Sequence, residues 1–130
     1  MVGIVLVSHS EKIAQGIRDL SMQMASPETK ILAAGGLPGG KIGTDFQRIL
    51  DAIQEADQGD GVVVLMDLGS AIMSTETALD FLDEDLRKRV VLADAPIVEG
   101  AISCSVAASI GCSLEEVKAA AEESRGVKKF

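Results

Sequence analysis

The chain has 130 residues, 47% apolar and 25% charged, and 12 Lys plus Arg against 20 Asp plus Glu leave a net charge of −8. A domain of this length buries roughly two-thirds of its unfolded surface and folds without disulfides or a structural metal. With three Phe and neither Trp nor Tyr, the core is aliphatic. Nucleic acid and an anionic membrane surface are excluded as partners, because the clustered basic and aromatic residues they require are missing.

Val2 to Val7 is an unbroken β-branched run, which predicts a strand covered on both faces. It is too short, and lacks the basic start, for a signal peptide or membrane span, so a cytoplasmic protein is expected. After Ser8-His9-Ser10 the apolar residues Ile13, Ile17, Leu20 and Met24 recur at helical spacing and predict one buried stripe. A second strand fits Lys30 to Ala34. The glycines and proline of Gly35 to Gly40 predict a flexible flap. Thr44 and Gln47 have capping-box spacing and open a helix that buries Phe46, Ile49, Leu50 and Ile53.

Val62 to Met66 is a third strand, ending in Asp67-Leu68-Gly69-Ser70. A helix follows to about Leu82, with Ile72, Leu79 and Leu82 inward, and Asp83 to Arg89 reads as solvated surface. Val90 to Ala93 is a fourth strand, Ile97 to Ile110 an Ala- and Ser-rich helix, and Ser113 with Glu116 caps a last helix. Cys104 and Cys112 match no redox or zinc spacing and read as small buried hydrophobes. With no repeat or linker, residues 1–130 are expected to form one domain.

Alternating strands and helices predict an α/β fold, an open parallel sheet with helices on both faces and strand order 2-1-3-4. In that order the chain leaves strands 1 and 3 in opposite directions, opening a crevice at their carboxyl ends. Ser8-His9 and Asp67 stand there. His9 is the only histidine. Ser8 and Glu11 have capping-box spacing, which predicts Ser8 as the N-cap and His9 in the first helical turn. Free amides and the helix dipole at that point favour an anion and disfavour imidazolium, so a neutral, nucleophilic ring is expected. A carboxylate at Asp67 accepting from Nδ1 would leave Nε2 facing the crevice. Asp67 capping a turn, and Ser70 either holding a phosphoryl oxygen or capping the next helix, stay open.

Competing chemistries fit the residues less well. Leu68 to Ile72 lacks the second glycine of a serine-hydrolase elbow. A receiver domain needs an acidic pair after the first strand, and the glycine-rich loop matches neither GxGxxG nor a Walker sequence. Phosphoryl transfer through His9 survives, because an oriented imidazole can accept a phosphoryl group and give it up without a metal.

The motifs VSHS (Val7–Ser10), IGTD (Ile42–Asp45), MDLGSA (Met66–Ala71), ETAL (Glu76–Leu79) and APIVEGA (Ala95–Ala101) resemble the enzyme IIA domain of the mannose-type phosphotransferase system. They are most similar to its dihydroxyacetone kinase branch. The resemblance spans nearly the whole chain. It implies a relay in which phosphoenolpyruvate charges enzyme I, enzyme I charges HPr, and HPr charges His9. The acceptor it implies is ADP held on the subunit DhaL, and the ATP formed there phosphorylates dihydroxyacetone bound to DhaK. On this resemblance His9 Nε2 forms the phosphohistidine, Asp67 orients the ring, and Ser10 and Ser70 contact phosphate. A homodimer is implied, with the helix after Pro96 a candidate for added burial. Some relatives continue into HPr-like and enzyme I-like domains; this chain stops at Phe130, so a separate HPr is the expected donor. The alternative acceptor is a sugar permease or regulator.

Overall fold

A computed structural model describes residues 1–130. In chain order it contains β1 (Gly3–Ser8), α1 (Glu11–Met22), β2 (Ile31–Gly35), α2 (Phe46–Ala56) and β3 (Val62–Met66). Then come α3 (Ala71–Asp80), α4 (Glu84–Arg87), β4 (Val90–Leu92), α5 (Ile97–Ser109) and α6 (Leu114–Glu123), with a 3-10 turn at Ser124–Gly126. The strands are parallel in the order β2-β1-β3-β4, as the alternation predicted.

Strand periodicity divides the core in two. Ile4, Leu6, Val63 and Leu65 pack with Ala101, Cys104 and Ala108 of α5 and with Val117 and Ala121 of α6. Val5, Val7, Val62 and Val64 point the other way, onto Ile49, Leu50 and Ile53 of α2 and Ala71 and Ala78 of α3. The sheet is therefore the middle of three layers. Burial pushes the Cys104 thiol up to about 12, so it packs as an inert hydrophobe. Cys112 is only partly buried.

Several local expectations are corrected. Of the α1 stripe only Ile17 is buried; Ile13, Leu20 and Met24 are exposed, and the inner face is Ala14, Ile17 and Ser21. Small side chains let α1 lie close to β2. The N-cap of α2 is Asp45, which accepts from the Gln47 amide, and Thr44 bonds Ser74 instead of capping. Phe46 is partly exposed and stacks on Phe81 at 5.3 Å. Ile72 faces outward, and Ala71, Thr75 and Ala78 form the inner side of α3. The stretch from Asp83 to Arg89 holds a short helix, because Asp83 caps the Leu86 amide and Leu86 is buried. The Ser113–Glu116 capping box forms as read.

Gly35 to Gly40 is folded rather than free. Leu37 and Lys41 bridge antiparallel around a turn in which Gly39 and Gly40 take φ of 83° and 77°, the left-handed region that glycine enters without a Cβ penalty.

Candidate functional site

The ladder between β1 and β3 runs one bond past the strands, since the Asp67 amide donates to the Val7 carbonyl at 3.0 Å. This brings Asp67 beside the Ser8-His9 corner, although 58 residues separate it from His9 in the chain. Asp67 Oδ1 accepts from His9 Nδ1 at 2.9 Å and from the Leu68 amide at 2.7 Å. Its Oδ2 accepts from the His9 amide at 2.9 Å and from the Ser8 hydroxyl at 3.0 Å. All of the carboxylate's bonds lie within this one corner.

Burial is the largest single influence on the Asp67 carboxyl and works against ionisation. The His9 amide and ring, the Ser8 hydroxyl and the Leu68 amide together outweigh it, and Asp67 titrates below the usual carboxylate range. An ionised Asp67 can only accept, so the His9 proton sits on Nδ1 and the Nε2 lone pair points away. Nε2 meets the Ser70 hydroxyl at 2.8 Å, and that hydroxyl is the donor. Ser70 makes no capping bond to α3, which disfavours the plain N-cap reading of this serine.

His9 lies outside α1, contrary to the expectation of a place in its first turn. The N-cap is Ser10, whose hydroxyl accepts from the Ile13 amide at 3.2 Å. Ser8 cannot cap because it is the last residue of β1 and its hydroxyl is held by Asp67. Ser10 Oγ is therefore committed to the helix start, and only Ser70 of the two expected phosphate-binding serines contacts the ring.

Residues expected to form a flap and to cap α2 instead brace this corner, together with Gly43 and Ser74. Gly43 donates its amide to the His9 carbonyl at 2.8 Å, and Gly36 donates to the Ser8 carbonyl at 3.1 Å. Thr44 and Ser74 share a hydroxyl bond of 2.6 Å that ties the loop to α3. Gly35 permits the close approach of α1, since a Cβ there would lie 2.5 Å from the Ser10 carbonyl oxygen. The His9 ring remains 22% exposed, open to a partner but not freely solvated. Ile42, Leu68, Ile72 and Met73 expose apolar side chains on the neighbouring segments, and a cavity of about 330 Å³ beside Asp67 is lined by Leu68, Ile72, Leu92 and Ala95 among others. Such a rim suits contact with another protein.

The family model described as the PTS system fructose IIA component, EIIA-man, matches residues 3–118. The chain is 40% identical to the Providencia stuartii protein named PEP-dependent dihydroxyacetone kinase, phosphoryl donor subunit DhaM, over 98% of this chain and 28% of that protein. It is 38% identical to the Listeria innocua PEP-dependent dihydroxyacetone kinase 2, phosphoryl donor subunit DhaM, over 90% of this chain and 94% of that one. The chain thus spans little more than a quarter of the first relative's length and nearly all of the second's. A crystal structure of a protein of unknown function superposes with a TM-score of 0.87 at 41% identity, covering 99% of this chain and 98% of that one. The phosphotransferase system component EIIA from Streptococcus agalactiae shares the fold, with a TM-score of 0.69 at 14% identity over 100% and 98% of the two chains.

Proposed function

The chain belongs to the EIIA-man family of PTS system fructose IIA components, and from that premise we propose that it is a histidine phosphocarrier, the phosphoryl donor subunit of a dihydroxyacetone kinase. His9 accepts a phosphoryl group from phospho-HPr and passes it to ADP bound on DhaL, for phosphorylation of dihydroxyacetone on DhaK. The relatives named DhaM support this choice of acceptor. Residues 1–130 act as the single carrier domain, working in the cytoplasm as a homodimer. No helix is long and apolar enough to cross a membrane.

What carries the reading is one ring held at both nitrogens: Nδ1 on Asp67 at 2.9 Å and Nε2 on Ser70 at 2.8 Å. Ser70 must first swing its donor off the lone pair. Nε2 then attacks phosphorus, the bond from phosphorus to the donor nitrogen of HPr breaks, and that nitrogen keeps the electron pair. No proton has to move. The phosphorylated ring retains its Nδ1 proton and a positive charge, which Asp67 neutralises. In the second step an oxygen of the ADP β-phosphate attacks and the N–P bond returns its electrons to Nε2. Between the two steps, while Nε2 carries the phosphoryl group, Ser70 offers its hydroxyl to a phosphoryl oxygen.

The test is intact mass after incubation with phosphoenolpyruvate, enzyme I and HPr, then with ADP-loaded DhaL. One acid-labile phosphoryl adduct, absent from His9→Ala and discharged by DhaL, is the expected result. No adduct on the wild-type protein overturns the carrier reading. An adduct that ADP-loaded DhaL leaves intact moves the acceptor to a sugar permease or regulator.

A further inference from the structure

We infer that Ser8 is a positioning residue for His9, acting through Asp67: its hydroxyl fastens Oδ2 and so keeps Oδ1 aligned with the ring. Ser8 is the one hydroxyl bonded to Asp67, and it gives and takes at once. It donates to Asp67 Oδ2 at 3.0 Å and accepts from the Ser10 amide at 3.0 Å. Because the accepted bond occupies one side of the oxygen, the hydroxyl proton is directed to the carboxylate.

The geometry explains why that matters. A carboxylate turns readily about its last torsion, and the Leu68 amide draws Oδ1 toward Asp67's own backbone at 2.7 Å, in competition with the ring. Ser8 holds the opposite oxygen against that rotation. Ser8 is 0% exposed, so bulk solvent does not reach its hydroxyl. Elsewhere the protein buries serines without partners, at Ser21 and Ser105. A hydroxyl with both of its capacities used, one residue from the reactive ring, is a different case. Removing it leaves Oδ2 with the His9 amide alone and strands the Ser10 amide at the start of α1.

The experiment reads the His9 ring nitrogens by ¹⁵N NMR at pH 8, with phosphorylation rates measured in a double-mutant cycle. Ser8→Ala is expected to stay folded by thermal melting, to move the ring from the Nδ1–H tautomer toward a mixture, and to slow phosphorylation by HPr about tenfold. Ser8→Thr is expected to restore both readouts. In an Asp67→Asn background Ser8→Ala is expected to cost less than about twofold, since its effect runs through the carboxylate. Unchanged ring signals in folded Ser8→Ala, or an equal rate loss in both backgrounds, overturns the inference. If Ser8→Ala does not fold, Ser8→Cys, a weaker donor, is read by the same criteria. The rate arm rests on the carrier reading and the NMR arm does not. A tautomer shift in a protein that HPr never phosphorylates upholds Ser8 as a positioning residue and removes the carrier.

Discussion

Asp67 grips His9 twice, taking the ring Nδ1–H on one oxygen and the backbone N–H on the other, each at 2.9 Å. The two bonds tie the imidazole to its own main chain, so ring orientation and strand-end geometry are one property. Asp67→Asn offers a carbonyl and an amide where two acceptors are needed, and the amide opposes either the ring N–H or the backbone N–H. The fold should survive, because both core layers lie below the site. Phosphorylation by HPr should slow by on the order of a thousandfold as the tautomer preference is lost. Quench-flow rates near wild type would take Asp67 out of the mechanism.

Ser70 should act on the lifetime of the adduct more than on its formation. Its hydroxyl sits on the Nε2 lone pair at 2.8 Å and must leave before attack, so its removal does not block the nucleophile. In the phosphorylated state the same hydroxyl is a donor to a charged oxygen, a bond of about 1.5 kcal/mol. Ser70→Ala should therefore shorten the half-life of phosphohistidine at neutral pH about tenfold, followed by intact mass over time. An unchanged half-life would return Ser70 to a structural part.

Acid stability follows from Asp57 and Asp67, both held below the ordinary value of 3.8. For Asp57 the main cause is its paired hydrogen bonds from Arg89, at 3.1 and 2.6 Å. Since the folded carboxyls bind protons less readily than the unfolded ones, their contribution is complete above about pH 5 and is lost as pH falls through the folded values. Thermal midpoints should be flat near neutrality and drop below pH 4. Arg89→Ala should lower the neutral midpoint by a few degrees and flatten the acid limb. Parallel curves for the two proteins would show that this pair does not set it.

The sheet was legible because its strands are apolar runs with nothing else to be, and the order 2-1-3-4 followed from their alternation with helices. His9 and Asp67 were legible for the same reason, since both leave strands at the crevice. The exchange between Ser8 and Ser10 was not. Either serine can cap a helix, and the choice is made by Asp67, 59 residues beyond Ser8, whose carboxylate claims the first hydroxyl. Periodicity likewise marked the apolar side of α1 without saying that the neighbours reach only its Ala14–Ser21 edge. Ile13, Leu20 and Met24 are left in solvent.

Those exposed side chains bear on assembly. The helices α1 and α5 pack side by side, and Val106 of α5, with Ile110 at its C-cap, adds to the exposed apolar set. The proposed homodimer would cover them if the second copy is seated across these two helices. Ile110 is 76% exposed, so Ile110→Asp should fold normally and, if the proposed homodimer is seated on this face, elute and scatter light as a monomer. A dimer that survives the substitution would place the second copy elsewhere.

Gly35 connects the fold to the chemistry most directly. It ends β2 where the first turn of α1 crosses, and a Cβ would lie 2.5 Å from the Ser10 carbonyl oxygen and 2.7 Å from Ala14 Cβ. Backbone cannot yield as a flexible side chain can, so Gly35→Ala must push the start of α1 outward. That movement strains the Ser10 amide bond to Ser8 and, through it, the Asp67 carboxylate. The cost in stability should be about 1–3 kcal/mol by denaturant unfolding, and phosphorylation of His9 should slow even in the fully folded variant. A substitution that lowers stability and leaves the rate untouched would separate the packing of α1 from the setting of the ring.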